Sequence, residues 1–354
     1  LAQIVARLPA GTELTWERAE GPASGPLVLH GLRVVYRACP DVDGEPVAWP
    51  DCGKAEQVTV FTAQRAVLDP ALRPLLGKRL RLDALDVQDA TLALPSSDEP
   101  FELPRWPESL PEIAPPLALQ ADTIRIDRLR ITSAGERVAM LHSVRGGLDA
   151  SDGRLHVERL VADTDRGRFT LHGDYVPRDD YRMDLTASAL LPAPAGRTRA
   201  RLGLVARGDV RGLDVAIAGH APGPVRARLR LDGEAGDDAR PRWRVDAQSD
   251  AIALAALTGA DEDLVPYALK VQASGTGGRM RVQGEARHDD QVIVVRPSNV
   301  TVEGQVLALA PLSVELLGGV VEATGRADFN DPEKARFDGT VNARGVRWKG
   351  EQPD

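Results

Sequence analysis

The sequence predicts an all-β fold assembled as a long antiparallel meander. Three observations predict it. Apolar and polar residues alternate through one short run after another along nearly the whole chain, as half-buried strands require. Asp-Gly pairs at Asp43-Gly44, Asp152-Gly153, Asp232-Gly233 and Asp338-Gly339 stand between such runs, where glycine supplies the positive φ of a tight hairpin turn. Helical spacing, finally, is confined to two short segments, near 1–8 and 250–258.

The first of those segments opens the chain. Leu1, Ile4, Val5 and Leu8 share a helical face, and Pro9 ends the run. Strand-like runs follow at "TELTWE" and "LVLHGLRVVY". Cys39 and Cys52 then bracket a loop rich in Pro, Asp and Gly. A hairpin loop of that length brings its ends within disulfide reach, an oxidising compartment would close it, and the spacing fits no zinc set, so a disulfide is expected, with two unrelated buried thiols as the alternative.

"RLRLDALDVQDATLAL", residues 79–94, carries the most detailed signal. Its apolar residues are Leu80, Leu82, Leu85, Val87, Ala90, Leu92 and Leu94. Steps of two keep one face of a strand apolar, and each step of three would flip the side chains to the other face. A bulge at each slip restores the face, so this run predicts a strand that bends twice to keep one surface apolar.

Residues 95–116 hold seven prolines and are expected to form an extended surface loop, because proline cannot donate to a ladder. The same alternation resumes beyond it in "LALQADTIRIDRLRI", so no domain boundary is read there and residues 1–354 are treated as one elongated β fragment. Arg125, Asp127, Arg128 and Arg130 interleave with Ile124, Ile126, Leu129 and Ile131, the pattern of a solvated outer face whose charges also discourage edge-to-edge pairing. Further runs continue to the end of the chain. Among them, residues 250–258 form the second expected helix, with Asp250 as N-cap and Gly259 as the stop. "GTGGR", residues 275–279, lacks the Lys-Ser/Thr of a phosphate loop and is expected to be a turn.

Composition excludes several function classes. The apolar fraction is 43% but aromatics are only 4%, so the apolar face is aliphatic and poor in the stacking that nucleic-acid sites use. A formal net charge of −8 argues against a nucleic-acid partner. No apolar run approaches the ~18 residues of a membrane-spanning helix. The histidines His30, His142, His156, His172, His220 and His288 are scattered, with no pair at metal-ligand spacing, and no Gly-x-Ser-x-Gly elbow occurs. Neither an enzyme nor a metal or other cofactor is expected.

Several phrases resemble one family. "AEGPASGPLVLHGL", residues 19–32, resembles the phrase that follows the inner-membrane anchor in the TamB family and the wider AsmA-like group. "LRLDALDVQDATLAL" and "IRIDRLRI", separated by a proline-rich loop, are similar to that family too, as are "GRFTLHGDYVPRDDYRMDLTASALLP", residues 167–192, and cysteines flanking an early hairpin. The order of these loose motifs carries the resemblance. It implies a long antiparallel sheet curled into a U-shaped groove, a β-taco. It also implies an amino-terminal periplasmic portion of a longer protein, held in the bacterial inner membrane by an upstream anchor and meeting outer-membrane TamA through a carboxy-terminal region.

On this resemblance, the apolar face lines the groove and phospholipid acyl chains are its cargo. The lining read from the alternation is Leu80, Leu82, Ile124, Ile126, Leu155, Val157, Phe169, Leu171, Leu202, Leu204, Val215, Ile217, Leu229 and Leu231. The implied role is a bridge that carries lipid across the periplasm and supports outer-membrane biogenesis. The alternative is a scaffold for assembly or secretion of autotransporters and other outer-membrane β-proteins.

Overall fold

The computed structural model describes residues 11–22, 25–39, 57–71, 79–95, 103, 110–111, 113, 118–151, 153–193, 198–233, 241–253, 265–331 and 334–347. Every regular element among them is a strand, and no helix occurs. The chain divides into two compact units, Leu1–Asp98 with Glu112–Arg178, and Glu99–Pro111 with Asp179–Asp354.

The first unit contains β1 (Thr12–Thr15), β2 (Arg18–Glu20), β3 (Leu27–Ala38), β4 (Gln57–Ala71) and β5 (Arg79–Leu94). It continues with β6 (Ala118–Ser133), β7 (Glu136–Ser151), β8 (Arg154–Thr164) and β9 (Gly167–Val176). β1 and β2 both pair with β3, and from β3 each strand pairs with the next. All pairs are antiparallel except β5–β6, which is parallel. A parallel pair cannot be joined by a hairpin and needs a crossover of roughly a dozen residues or more. The proline-rich stretch after β5 supplies that connection, and β5–β6 is the one parallel exception in the expected antiparallel sheet.

The two slips in β5 are real, and neighbouring strands share them. Pairing skips Gly31 in β3, Gln64 in β4, Asp89 in β5, Arg128 in β6 and His142 in β7, all on one line across the sheet. Apolar positions therefore step by three in each strand, from Leu29 to Leu32, Ala63 to Ala66, Val87 to Ala90, Ile126 to Leu129 and Leu141 to Val144. The matched slips keep one face apolar while the sheet folds along a crease. A second crease skips Asp83 and Ala84 in β5, Asp122 and Thr123 in β6, and Arg159 and Leu160 against Gly146 where β7 meets β8.

At the first crease Asp89 (φ 52°) and Arg128 (φ 61°) both adopt left-handed backbone, a conformation that costs an L-residue about 1–2 kcal/mol. The Arg128 guanidinium donates to both Asp89 carboxylate oxygens, at 2.5 and 2.6 Å, and clasps the bend. Hydrogen bonding from Arg128 holds the Asp89 carboxyl below the usual carboxylate range. A depressed carboxylate contributes stability above its unfolded pKa and loses it as pH falls through the folded value. Asp89→Asn keeps a residue that tolerates left-handed backbone and removes only the charge. Its melting temperature is expected to lie below wild type at about pH 7, with the gap closing below about pH 4. A gap unchanged down to about pH 2 would show that the ion pair does not brace the crease.

The second unit contains β10 (Arg182–Leu190), β11 (Arg201–Gly208), β12 (Leu213–His220), β13 (Pro224–Asp232), β14 (Arg242–Ile252) and β15 (Tyr267–Thr276). It ends with β16 (Arg279–His288), β17 (Gln291–Glu303), β18 (Val306–Leu316), β19 (Gly319–Asp328) and β20 (Arg336–Arg344). Each pairs antiparallel with the next. In neither unit do the outermost described strands pair with each other, so neither unit closes into a barrel. Gly277 (φ 53°) makes the expected turn within "GTGGR". At the β17–β18 turn the buried Gln305 side chain mimics a peptide group: it accepts from the Leu103 N–H at 2.7 Å and donates to the Leu103 carbonyl at 3.4 Å.

Two sequence expectations are corrected here. Asp250, Ala251 and Ile252 finish β14, with Ile252 paired to Tyr267, so no helix starts at Asp250. Ladder pairing outweighs the weak helical preference of a short Ala-rich run. Residues 254–258 and the helix expected at 1–8 lie outside the described residues. Asp338-Gly339, expected as a turn, lies inside β20. Gly339 faces Gly325, where an added Cβ would stand 2.9 Å from the Thr324 carbonyl oxygen, so close backbone approach explains the glycine.

Candidate functional site

In the second unit, strand register lines up one apolar row through ten strands. It runs Leu204, Ile217, Ala227, Ala247, Val271, Gly284, Val295, Val314, Val321, Ala343, each directly opposite the next. Parallel rows flank it, one through Leu202, Gly219, Val225, Ser249, Leu269, Ala286 and Ile293, the other through Ala206, Val215, Leu229, Val245, Ala273, Val282 and Ser298. None of these positions is ionisable. The charges occupy the opposite face, where Arg207 pairs with Asp184 at 3.0 Å, Arg228 with Asp214, and Arg279 with Glu303 at 3.2 Å. Period-two alternation thus separates a greasy face from a charged one.

Burial divides that face. Leu204, Ile217, Ala227, Ala247, Val271, Val295, Val314 and Val321 are only half-buried. From β15 to β20 no apolar residue among the described residues is fully buried, and Phe337 and Val341 of β20 are 73% and 71% exposed. A face packed against a second sheet about 10 Å away would be covered.

The first unit behaves differently at its centre. Its row runs Leu29, Ala66, Val87, Ile126, Val144, Ala162, Phe169. Leu29 is 1% exposed and Ala66 0%, packed with Leu27, Leu32, Ala63, Ala90 and Leu129, and only toward β9 does the row open, at Phe169. Here the crease lets one sheet face cover itself.

The residues read from the sequence fall on these apolar faces, with unequal exposure. Leu82, Ile124 and Val157 are buried in the first unit, and Leu82 and Ile124 form a cluster with Ala121. Ile126, Leu155 and Leu171 are half-buried there, and Phe169 is exposed. Leu80 belongs to β5, opposite Leu119, but its side chain lies outside the described residues. In the second unit Leu202, Leu204, Val215, Ile217 and Leu229 are half-buried, and Leu231 is buried. Sequence reading missed the open stretch through Val271, Val295, Val314 and Val321, although "ALKVQASG" and "QVIVVRP" carried its alternation. Cys39 follows β3 directly, whereas Cys52 lies outside the described residues.

Among the described residues no group of three or more His, Cys, Asp or Glu side chains could hold a metal ion. None of their elements is a helix long and apolar enough to cross a membrane.

No curated protein and no solved structure gives a significant match to the chain. A protein family does: the one described as TamB, N-terminal domain, matches residues 80–354. That span takes in β5 to β20, including the parallel crossover, most of the crease strands and the whole open apolar row. With more than half its length matched, the chain belongs to the TamB N-terminal domain family.

Proposed function

We propose that this chain is the groove of a non-enzymatic, periplasm-spanning bridge that carries phospholipid acyl chains between inner and outer membranes. The observation that supports this most is the half-exposed, charge-free row from Leu204 to Val321. Acyl chains gain about 0.8 kcal/mol for each CH2 buried, so ten buried methylenes contribute about 8 kcal/mol. Because one strand resembles the next, that gain changes little as the chain moves along the row. A smooth aliphatic surface holds hydrocarbon by dispersion and hydrophobic contact without demanding a fixed pose. An upstream segment anchors the bridge in the inner membrane, and a carboxy-terminal region meets TamA. Mass spectrometry of organic extracts from protein purified without detergent is expected to find stoichiometric phospholipid. Its absence would leave the apolar face as a spacer.

A second reading rests on β20. All nine of its residues are exposed, and among the described strands it pairs only with β19. Such an edge accepts a client strand by β-augmentation, as a scaffold for outer-membrane β-proteins or autotransporters would. Crosslinking from Val341 to nascent β-barrel chains tests it.

The periplasmic setting carries a further expectation, a Cys39–Cys52 disulfide. Ala38 pairs with Gln57, which brings the two ends of the intervening loop to strand-pair distance. Intact-mass measurement after alkylation is expected to show both thiols blocked until reductant is added. Two alkylated thiols in unreduced protein would contradict both the bridge and an oxidising compartment.

A further inference from the structure

A cavity of about 720 Å³ lies in the first unit, lined chiefly by polar and charged residues together with Ile124 from the apolar face. It opens on the charged face at the second crease, where β6, β7, β8 and β9 bulge together. We propose that this cavity binds a phosphate-type oxyanion, held by the guanidinium groups of Arg125 and Arg159.

Three observations carry the proposal. The first is the strained backbone of Arg159, a bulged residue of the second crease. Arg159 is held at φ 45°, left-handed backbone that glycine adopts freely and arginine does not. The other left-handed arginine, Arg128, is clasped by Asp89 at the first crease. Arg159 makes no ion pair among the described residues, yet its side chain lines the cavity. Strained residues cluster at ligand sites.

The second is a direct confrontation of like charges. Arg125 stands opposite Arg145 across β6–β7, a pairing that destabilises a sheet unless something neutralises it. Arg145 is offset by Asp127 at 2.9 Å, whereas Arg125, in register with Asp86 across β5–β6, closes no ion pair within 4 Å among the described residues. His172 adds a further potential donor to the rim. The cavity's carboxylates are Asp122, engaged by Arg81 at 2.8 Å, and Glu158.

The third is the floor. Gly146 and Gly147 present bare backbone there. An added Cβ at Gly146 would lie 2.7 Å from the Leu160 Cα, and one at Gly147 3.0 Å from the Asp122 carbonyl oxygen. The strands therefore meet closely at a cavity that Arg125, Arg145 and Arg159 line together with Asp122 and Glu158. Two forked guanidinium groups beside bare glycine backbone suit the tetrahedral oxygens of phosphate.

No residue of the second unit's half-exposed row lines the cavity, so its fate does not decide the lipid reading. Calorimetric titration at constant ionic strength, with chloride as control, tests it using glycerol 1-phosphate and, separately, phosphatidylglycerol or phosphatidylcholine vesicles. Saturable binding of the soluble ester identifies a free phosphate ester as ligand. Binding of phosphatidylglycerol vesicles alone identifies a lipid headgroup. In either case Arg125→Gln and Arg159→Gly are each expected to weaken binding at least tenfold, with Arg159→Gly raising the melting temperature as it relieves the backbone. If Arg159→Gly fails to fold, Arg125→Gln on its exposed strand position carries the test. Binding of neither probe, or binding unchanged in the variants that fold, would overturn the proposal.

Discussion

Leu29→Ala is expected to destabilise the first unit by about 2–5 kcal/mol, the range for emptying a fully enclosed leucine site. Leu29 is 1% exposed and sits among Leu27, Ala66 and Val87, with little room for water to replace the lost methyl groups. Val271→Ala, in the open row of the second unit, is expected to cost about 1 kcal/mol or less, because a half-solvated valine leaves no sealed cavity. Denaturant unfolding of the two variants checks the contrast. Similar losses at both sites would mean that the two apolar faces are equally packed, and the distinction between a self-covering crease and an open groove would fail.

Val271→Asp or Val314→Asp is expected to reduce co-purified phospholipid several-fold while leaving the strands folded. A carboxylate sealed in a core is intolerable unless it is paired or neutralised. On the open row it reaches water, so folding survives while a charge interrupts the hydrocarbon path. Leu29→Asp, by contrast, is expected to prevent folding of the first unit. Lipid content measured beside circular dichroism separates these outcomes. Unaltered lipid in a folded Val271→Asp protein would remove the second unit's row from the conduit.

Much of this architecture is legible in the sequence because alternation and face are the same fact in a strand. The slips at Leu82 to Leu85 and Val87 to Ala90 correctly announce bends. One strand alone does not reveal that four neighbours slip with it, and the crease is a property of the sheet. Parallel pairing of β5 with β6 was equally hidden, since period-two alternation is indifferent to strand direction. The slips do not betray it either: Leu82, Leu85, Val87 and Ala90 step by three, two and three, as do Ala121, Ile124, Ile126 and Leu129, a pattern that reads the same in both directions. Gly339 misled because a glycine demanded by a close-packed neighbour strand looks locally like a glycine demanded by a turn. Exposure was the least legible property. Val157 and Val215 alternate alike with polar neighbours, yet one is 2% exposed and the other half-buried, because only the creased sheet decides what covers them.

The central claim, that hydrocarbon occupies the open apolar row, is tested most directly by photo-crosslinking in cells. Photoreactive residues placed singly at Leu204, Ile217, Val271 and Val314 are compared with ones at Arg230 and Arg244 on the charged face. The account predicts covalent phospholipid adducts at the four apolar positions and background at the two arginine positions. Equal labelling of both faces, or no adduct at any apolar position in folded protein, would contradict it.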